Sequence, residues 1–298
     1  MITKKEFDLL LLLCENEKAL SQRKMAERLN CSLGTVNKLL KEMTDKGLCD
    51  SGKRITQHGL DALEPYRVQR AVFIAAGFGS RLVPITLNTP KPLVRVNGTR
   101  MIDTLLDAVV AAGIPEIVIV RGYLGEQFDQ LLYKYPNIKF VENPIFNESN
   151  NISSALCVRY LLQNAYVLES DLILKNPSLI RKYEYQTNFL GIPVEVTDDW
   201  CFTTDASGYI ATESVGGTNC HQMVGISYWD AKDGAKLAED ISAVYNSPGG
   251  RERYWEQAPL VYKKENYKVA VRECKFEDIV EIDTFNELKK IDKTYALR

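Results

Sequence analysis

"AAGFGSRLVPITLNTPKPL", residues 75–93, grows out of the short apolar run "AVFIA" at 71–75 and leads into "VRVNG" at 94–98. An unbroken apolar run that ends in glycines reads as a parallel strand delivering a loop to the carboxyl edge of a sheet, where nucleotides bind. The dinucleotide fingerprint fails here. Arg81 and Leu82 stand where a third glycine belongs, and Pro84, Pro90 and Pro92 would break the helix that fingerprint opens. The Walker pattern fails as well, because Lys91 is neither preceded by glycine nor followed by Ser or Thr. What remains is a loop whose backbone N–H groups, at Gly77 and Gly79, allow close approach of a ligand. Arg81 and Lys91 add two cations, and the prolines fix an extended path that carries Lys91 back toward the glycines. A triphosphate needs that combination.

Outward from this loop the chain alternates. "AVFIA" is followed by a helix expected over Met101–Ala112, the strand "EIVIV", a helix over Leu124–Tyr133, the strand "IKFVE", a helix from about Ser149 to Leu162, and "AYVLESDLIL". The later part, "TNFLGIPVEV", "CFTTDASGYI" and "QMVGISYW", is strand-rich with a turn at Asp205–Gly208. The expected fold is α/β, a Rossmann-like mixed sheet with a β-rich later part. At 298 residues there is room for a second domain. A formal net charge of −2 gives no global electrostatic case for nucleic acid or membrane. The apolar run Leu9–Cys14 is too short to span a bilayer and no small-residue cleavage site follows it, so a cytoplasmic protein is expected. The seven cysteines lack any C-x-x-C pair and suggest small buried hydrophobes in a reducing compartment rather than disulfides or zinc.

Residues 1–66 read differently. Phe7, Leu10, Leu11 and Cys14 form a helical stripe, Ser21 caps a second helix, and Val36, Leu39, Leu40 and Met43 give the third helix one apolar face, ended by Gly47. Asp50, Ser51 and Gly52 form a turn between two expected short strands. This plan resembles winged helices of the MarR type. The resemblance implies DNA contact through Ser32, Thr35, Asn37 and Lys38, with Lys53 and Arg54 meeting phosphates. Acids such as Glu42 and Asp45 interrupt the basic face, so a winged helix used for protein contact is the competing reading. "LEPYRVQR", residues 63–70, is expected to be a solvated linker between this domain and residues 67–298.

The opening stretch is similar to the signature G-x-G-x-R-L-x-P-x-T, then P-K-P-L, then glycine, of nucleotidyltransferases that make sugar nucleotides and CDP-alcohols. Gly77, Gly79, Arg81, Leu82, Pro84, Thr86, Pro90, Lys91, Pro92, Leu93 and Gly98 all fit. "VRGYLGEQF", "ENPIFNESNNISSALCVRYL", "ESDLIL", "GISYWD", "RYWEQ" and "EIDTFNEL" further resemble choline-phosphate cytidylyltransferases of the LicC type. That resemblance spans residue 70 to the C-terminus and implies a nucleotidyltransferase (GT-A-like) fold. The implied reaction is attack by phosphocholine on the α-phosphorus of CTP, giving CDP-choline and pyrophosphate. Such a nucleophile is already anionic near neutral pH, since its second pKa is about 6, so no strong base is required. His58 and His221 are therefore expected to be non-catalytic.

The resemblance also assigns residues. Lys91, Arg81 and Asp171 would be catalytic, with Lys91 and Arg81 on phosphate oxygens. Ala75, Ala76, Gly77 and Gly79 would lie along the nucleotide, with Gly122 and Tyr123 at its second edge. Asp171 and Asp283 would share a Mg²⁺, with Glu281 as the alternative to Asp283. The tryptophans Trp200, Trp229 and Trp255 all fall in the β-rich part, beside Asp198, Asp199, Tyr228, Tyr254 and Glu256. Aromatic faces with nearby carboxylates suit a quaternary ammonium, which has no N–H to donate. Asp199, Trp200, Tyr254, Trp255 and Glu256 are accordingly expected to bind the acceptor, and Trp229 to be core. Carboxylates with fewer aromatics would suit the primary ammonium of phosphoethanolamine or 2-aminoethylphosphonate instead. A sugar 1-phosphate acceptor, or a transcription regulator that senses choline metabolites, are the remaining alternatives.

Overall fold

A computed structural model of the chain describes residues 2–15 and 20–297. The chain forms two units that part between Arg67 and Val68, and the first also takes in Tyr183–Tyr185.

The first unit holds α1 (Lys4–Cys14), α2 (Gln22–Arg28), α3 (Leu33–Asp45) and α4 (Gln57–Leu63). Each starts at a hydroxyl cap, at Thr3, Ser21, Ser32 and Thr56, whose oxygen accepts an otherwise unpaired N–H of the first turn. Thr3 and Glu6 complete a reciprocal capping box. Phe7, Leu10, Met25, Val36, Leu40, Met43 and Leu63 fill the core. Gly47 closes α3 at φ +70°. The wing is smaller than expected: one bridge, Cys49 to Ile55, flanks a turn at 50–53 instead of two strands. Ser32 caps α3 and its Oγ pairs with Thr35 Oγ1 at 2.9 Å, while Asn37 and Lys38 stand exposed. The unit is not the contiguous 1–66 expected. Tyr185 stacks on Tyr66 at 5.2 Å, and both rings pack on Phe7, so aromatic burial draws residues 183–185 into it.

The second unit contains β1 (Arg70–Ile74), β2 (Arg95–Val96), β3 (Thr99–Arg100), α5 (Met101–Ala111), β4 (Glu116–Arg121), β5 (Ile138–Glu142), α6 (Ile152–Val158), β6 (Ala165–Glu169), β7 (Leu172–Leu174), β8 (Asn188–Thr204), β9 (Ile210–Trp229), α7 (Ala231–Tyr245), β10 (Ala270–Glu273), β11 (Ile279–Glu281) and α8 (Phe285–Ile291). Seven strands make one sheet in the order β10-β8-β9-β6-β1-β4-β5. The β6-β1-β4-β5 part is parallel, and β9 runs antiparallel to both β6 and β8. Ala71 and Phe73 enter one core with α5, while Val72 enters another with α6 and α7. Both faces of β1 are therefore covered, which explains its unbroken apolar run.

Several expected elements differ. Val68 is buried in the second unit's core, so 63–70 is no solvated linker. The helix over Leu124–Tyr133 is a 3₁₀ stretch, Gly125–Tyr133, entered through left-handed Leu124 at φ 47°. The helix expected from Ser149 is α only over α6, because 145–151 serves as a loop. The three later strands are one ribbon, β8 and β9, turning at Asp205–Gly208 with irregular register at 197–204. Among the cysteines, Cys157 is exposed on α6 rather than buried.

Candidate active site

The carboxyl ends of β1 and β6 meet at a cleft of about 620 Å³. Ser170 Oγ donates to Ile74 O at 2.7 Å and ties the two strand ends together. Ala75, Ala76, Gly77, Gly79, Arg81 and Lys91 all line the cleft. The loop that carries them is not extended, as the prolines suggest, but folds into three 3₁₀ turns at 80–82, 85–87 and 91–93. That path returns Lys91 against Gly79. A Cβ on Gly79 would lie 2.9 Å from Lys91 Cβ, and Gly79 itself has φ +67°. At Gly77 a Cβ would meet nothing within 4 Å, leaving its backbone open to the cleft.

Lys91 Nζ donates to Asp171 Oδ2 at 2.8 Å and to Asp283 Oδ1 at 3.0 Å, and Arg81 donates to the same Asp283 oxygen at 2.8 Å. Burial disfavours the Lys91 ammonium, but the Asp171 and Asp283 charges overcome it and hold its pKa above the ordinary range. Asp283 is positioned by α8, whose first turn receives it: its N–H donates to Glu287 Oε2 at 2.8 Å.

Glu169, Asp171 and Glu281 bring carboxylate oxygens within 4.8 Å of one another. Glu169 ends β6, Asp171 follows two residues on, and Glu281 ends β11 beside Leu172. Gly225 makes room for this group, since a Cβ there would lie 2.5 Å from Glu169 Oε2. Burial, then the Asp171 and Glu256 charges, push the Glu169 carboxyl well up. Burial, then Asp171 and Glu169, push Glu281 up to about 9. Asp171 Oδ1 is buried without a hydrogen-bond partner. Crowded oxygen donors with an unsatisfied buried oxygen fit a hard divalent ion such as Mg²⁺. Asp283, expected to share the metal with Asp171, engages Lys91 and Arg81, and Glu169 joins Asp171 and Glu281 in the carboxylate cluster. The one trace of Glu169 in the sequence is "ESD", where residues i and i+2 at a strand end share a side, which by itself does not mark a buried group.

Other expected residues separate. Asp199, Trp200, Tyr254 and Glu256 line the cleft, and the Trp200 and Tyr254 rings meet edge-on at 5.5 Å. Trp255 does not line it. That indole is 3% exposed, stacked on Phe189 at 6.1 Å and edge-on to Trp229 at 6.0 Å, so it belongs to the core with Trp229. Gly122 and Tyr123 also lie outside the cleft wall. Phe146 packs on Gly122 and itself lines the cleft. Tyr123 supports the glycine loop: its N–H donates to Ala76 O at 3.0 Å and its hydroxyl to Thr86 O at 2.9 Å. His58 is exposed on α4 and His221 faces Glu273, and neither lines the cleft. Unforeseen wall residues come from 143–154. Buried Asn143 holds Ser153 and Ser154 at 3.0 Å each, and Asn151 Oδ1 accepts from Trp255 N–H at 2.8 Å.

A strand-end cleft that pairs a glycine loop and two cations with clustered carboxylates is built for a nucleoside triphosphate. Residues 70–189 match the nucleotidyl transferase family model, and residues 2–48 match a winged helix-turn-helix DNA-binding model. The chain belongs to the nucleotidyltransferase family. Within that family it groups with cytidylyltransferases. It is 35% identical over 229 residues to the 2-aminoethylphosphonate cytidylyltransferase of Lancefieldella rimae, covering 76% of this chain and 93% of that protein. It is 32% identical over 228 residues to the choline-phosphate cytidylyltransferase of Streptococcus pneumoniae, covering 75% and 97%. The solved CTP:phosphocholine cytidylyltransferase from S. pneumoniae superposes with a TM-score of 0.69 at 30% identity, over 76% of this chain and 99% of that one.

Proposed function

We propose that the chain transfers a cytidylyl group from CTP to the phosphate or phosphonate oxygen of a small acceptor bearing an ammonium, releasing pyrophosphate. The observation that carries this is Lys91 Nζ, held at 2.8 and 3.0 Å between Asp171 and Asp283 beneath the glycine loop. The acceptor oxygen forms the new bond to the α-phosphorus as the α–β bridge breaks, and the bridging electrons leave with pyrophosphate. Open backbone at Gly77 admits the nucleotide closely. Lys91 and exposed Arg81 turn from carboxylates to phosphate oxygens and neutralise the leaving charge. Glu169, Asp171 and Glu281 would hold Mg²⁺, which when bound supplies further neutralisation of the triphosphate. An anionic acceptor needs alignment rather than a base.

Asp199 and Glu256 beside Trp200 and Tyr254 support a cationic acceptor end. Phosphocholine, phosphoethanolamine and 2-aminoethylphosphonate are the acceptors of this class. The paired Trp200 and Tyr254 rings favour phosphocholine; the loss of Trp255 from the wall favours the primary amines. Pyrophosphate release from CTP, UTP and a sugar 1-phosphate or ammonium-bearing acceptor decides the reading. Asp171→Asn and Glu169→Gln should each lower turnover about 100-fold or more, and near-normal rates would remove both from the site.

We further propose that residues 2–67 bind DNA as a winged helix-turn-helix, supported by the family match and by exposed Asn37, Lys38 and Arg54. Lys38→Ala should weaken retention of DNA across sequences and reduce its salt dependence. No retention of genomic fragments at low salt would leave a protein-contact role.

A further inference from the structure

Two carboxylates, Glu256 on the cleft wall and Glu213 on β9, are buried without a counter-charge. Both Glu213 oxygens and Glu256 Oε2 are closed off from solvent and accept no hydrogen bond. Glu256 is 3% exposed and its carboxylate is bonded by the Asn151 side chain. Glu213 sits on β9 opposite Phe202 of β8, two residues along that strand from Trp200, which lines the cleft with Glu256. Its charge is near enough to raise the Glu256 carboxyl, though burial is the larger cause. Burial alone lifts Glu213 to about 7, and Glu256 stands at about 8. No ion pair among the described residues involves either. Buried carboxyls left this way are costly when ionised, so they hold their protons near neutral pH, and a bound cation would let them ionise. Among the described residues, the carboxylate group suited to a metal is Glu169, Asp171 and Glu281, without these two.

We propose that Glu213 is the second carboxylate of the acceptor's ammonium subsite, with Glu256 the first, and that the pair selects an ammonium carrying N–H bonds. This rests on the reading of an ammonium-bearing acceptor given above. A primary ammonium has three N–H donors, and the two residues present three unsatisfied oxygens. A trimethylammonium offers no donor, so its methyl shell leaves those oxygens unpaired. Discrimination of this kind, by buried polar groups that one ligand satisfies and another does not, is the strong kind. Trp200 and Tyr254 close the subsite from the side of the cleft and suit either cation.

The test uses the full chain and Glu213→Gln, with CTP and three acceptors of matched length: 2-aminoethylphosphonate, its N-trimethyl analogue, and propylphosphonate. Steady-state rates are read together with calorimetric binding of each acceptor. Glu213→Gln should raise KM and Kd for the primary amine about ten- to hundredfold. It should leave propylphosphonate nearly unaffected and act on KM rather than kcat. Its Tm without ligand should hold or rise, because an ionisable group buried without a partner is replaced by a neutral amide of the same shape. Glu213→Asp should keep part of the preference for the amine. Equal effects on all three acceptors, no effect on any, or a falling Tm would assign Glu213 a structural role and overturn the proposal. A wild-type chain that neither binds nor uses any ammonium acceptor refutes the acceptor reading and this inference with it. A preference for the amine that survives Glu213→Gln refutes the role of Glu213 alone.

Discussion

Gly79 and Lys91 act as one part. The glycine's left-handed backbone and missing Cβ let the lysine side chain lie directly on the loop, where its ammonium reaches two carboxylates. Gly79→Ala imposes both a strained φ and a 2.9 Å clash, so it should displace Lys91. The expected outcome is a rise in KM for CTP of about tenfold or more, equivalent to about 1.4 kcal/mol; an unchanged KM in a nucleotide titration would show that the loop tolerates the methyl. This pairing was legible in the sequence, because glycines at a strand end and a returning lysine are local features. Glu169 and Glu213 were less so. A glutamate at the end of an apolar strand looks like an ordinary solvated terminus until the facing strands are known. Only Gly225 on β9 shows that the Glu169 carboxylate is tucked against backbone.

The β8–β9 ribbon decides which aromatics serve the cleft. The register shift between Thr197 and Trp200 leaves Asp199 out of the ladder and sets Trp200 opposite Val215, and both Asp199 and Trp200 line the cleft. Trp255 and Glu256 are neighbours in an irregular stretch, so their side chains diverge, the indole inward and the carboxylate to the wall. Sequence proximity of aromatics to acids could not separate them, because that choice depends on the partner rings Phe189 and Trp229. Trp200→Ala should raise KM for an ammonium acceptor several-fold with little loss of Tm, since a cation–π contact contributes roughly 0.5–2 kcal/mol. Trp255→Ala should cost about 3–5 kcal/mol of stability through the cavity it leaves. Thermal melts alongside acceptor titrations distinguish the two, and reversed outcomes would exchange their roles. The expected helices at 124–133 and 149–162 missed for a related reason: left-handed Leu124 and the loop at 145–151 answer to the fold around them rather than to local periodicity.

On the scale of the whole molecule, the strand alternation and the winged helix were readable because each rests on periodic burial. The boundary between units was not, since it depends on distant rings. The first unit has its own acid sensitivity. Glu6 is hydrogen-bonded by Lys46 and by Thr3, and its pKa falls from 4.5 to about 2. A depressed carboxylate contributes stability above its unfolded pKa and loses it as pH falls through the folded one. Glu6→Gln should therefore lower stability at neutral pH, with the gap to the native chain closing between pH 4.5 and about 2 in denaturation series. A gap independent of pH would mean the carboxylate's charge contributes nothing. The Tyr183–Tyr185 stretch carries the remaining consequence. The polypeptide leaves the helical head once, runs through more than a hundred residues, and comes back for three before leaving again. No single proteolytic nick frees that head with all of its rings, so excision at Arg67 would yield a fragment stripped of the stacking partner of Tyr66.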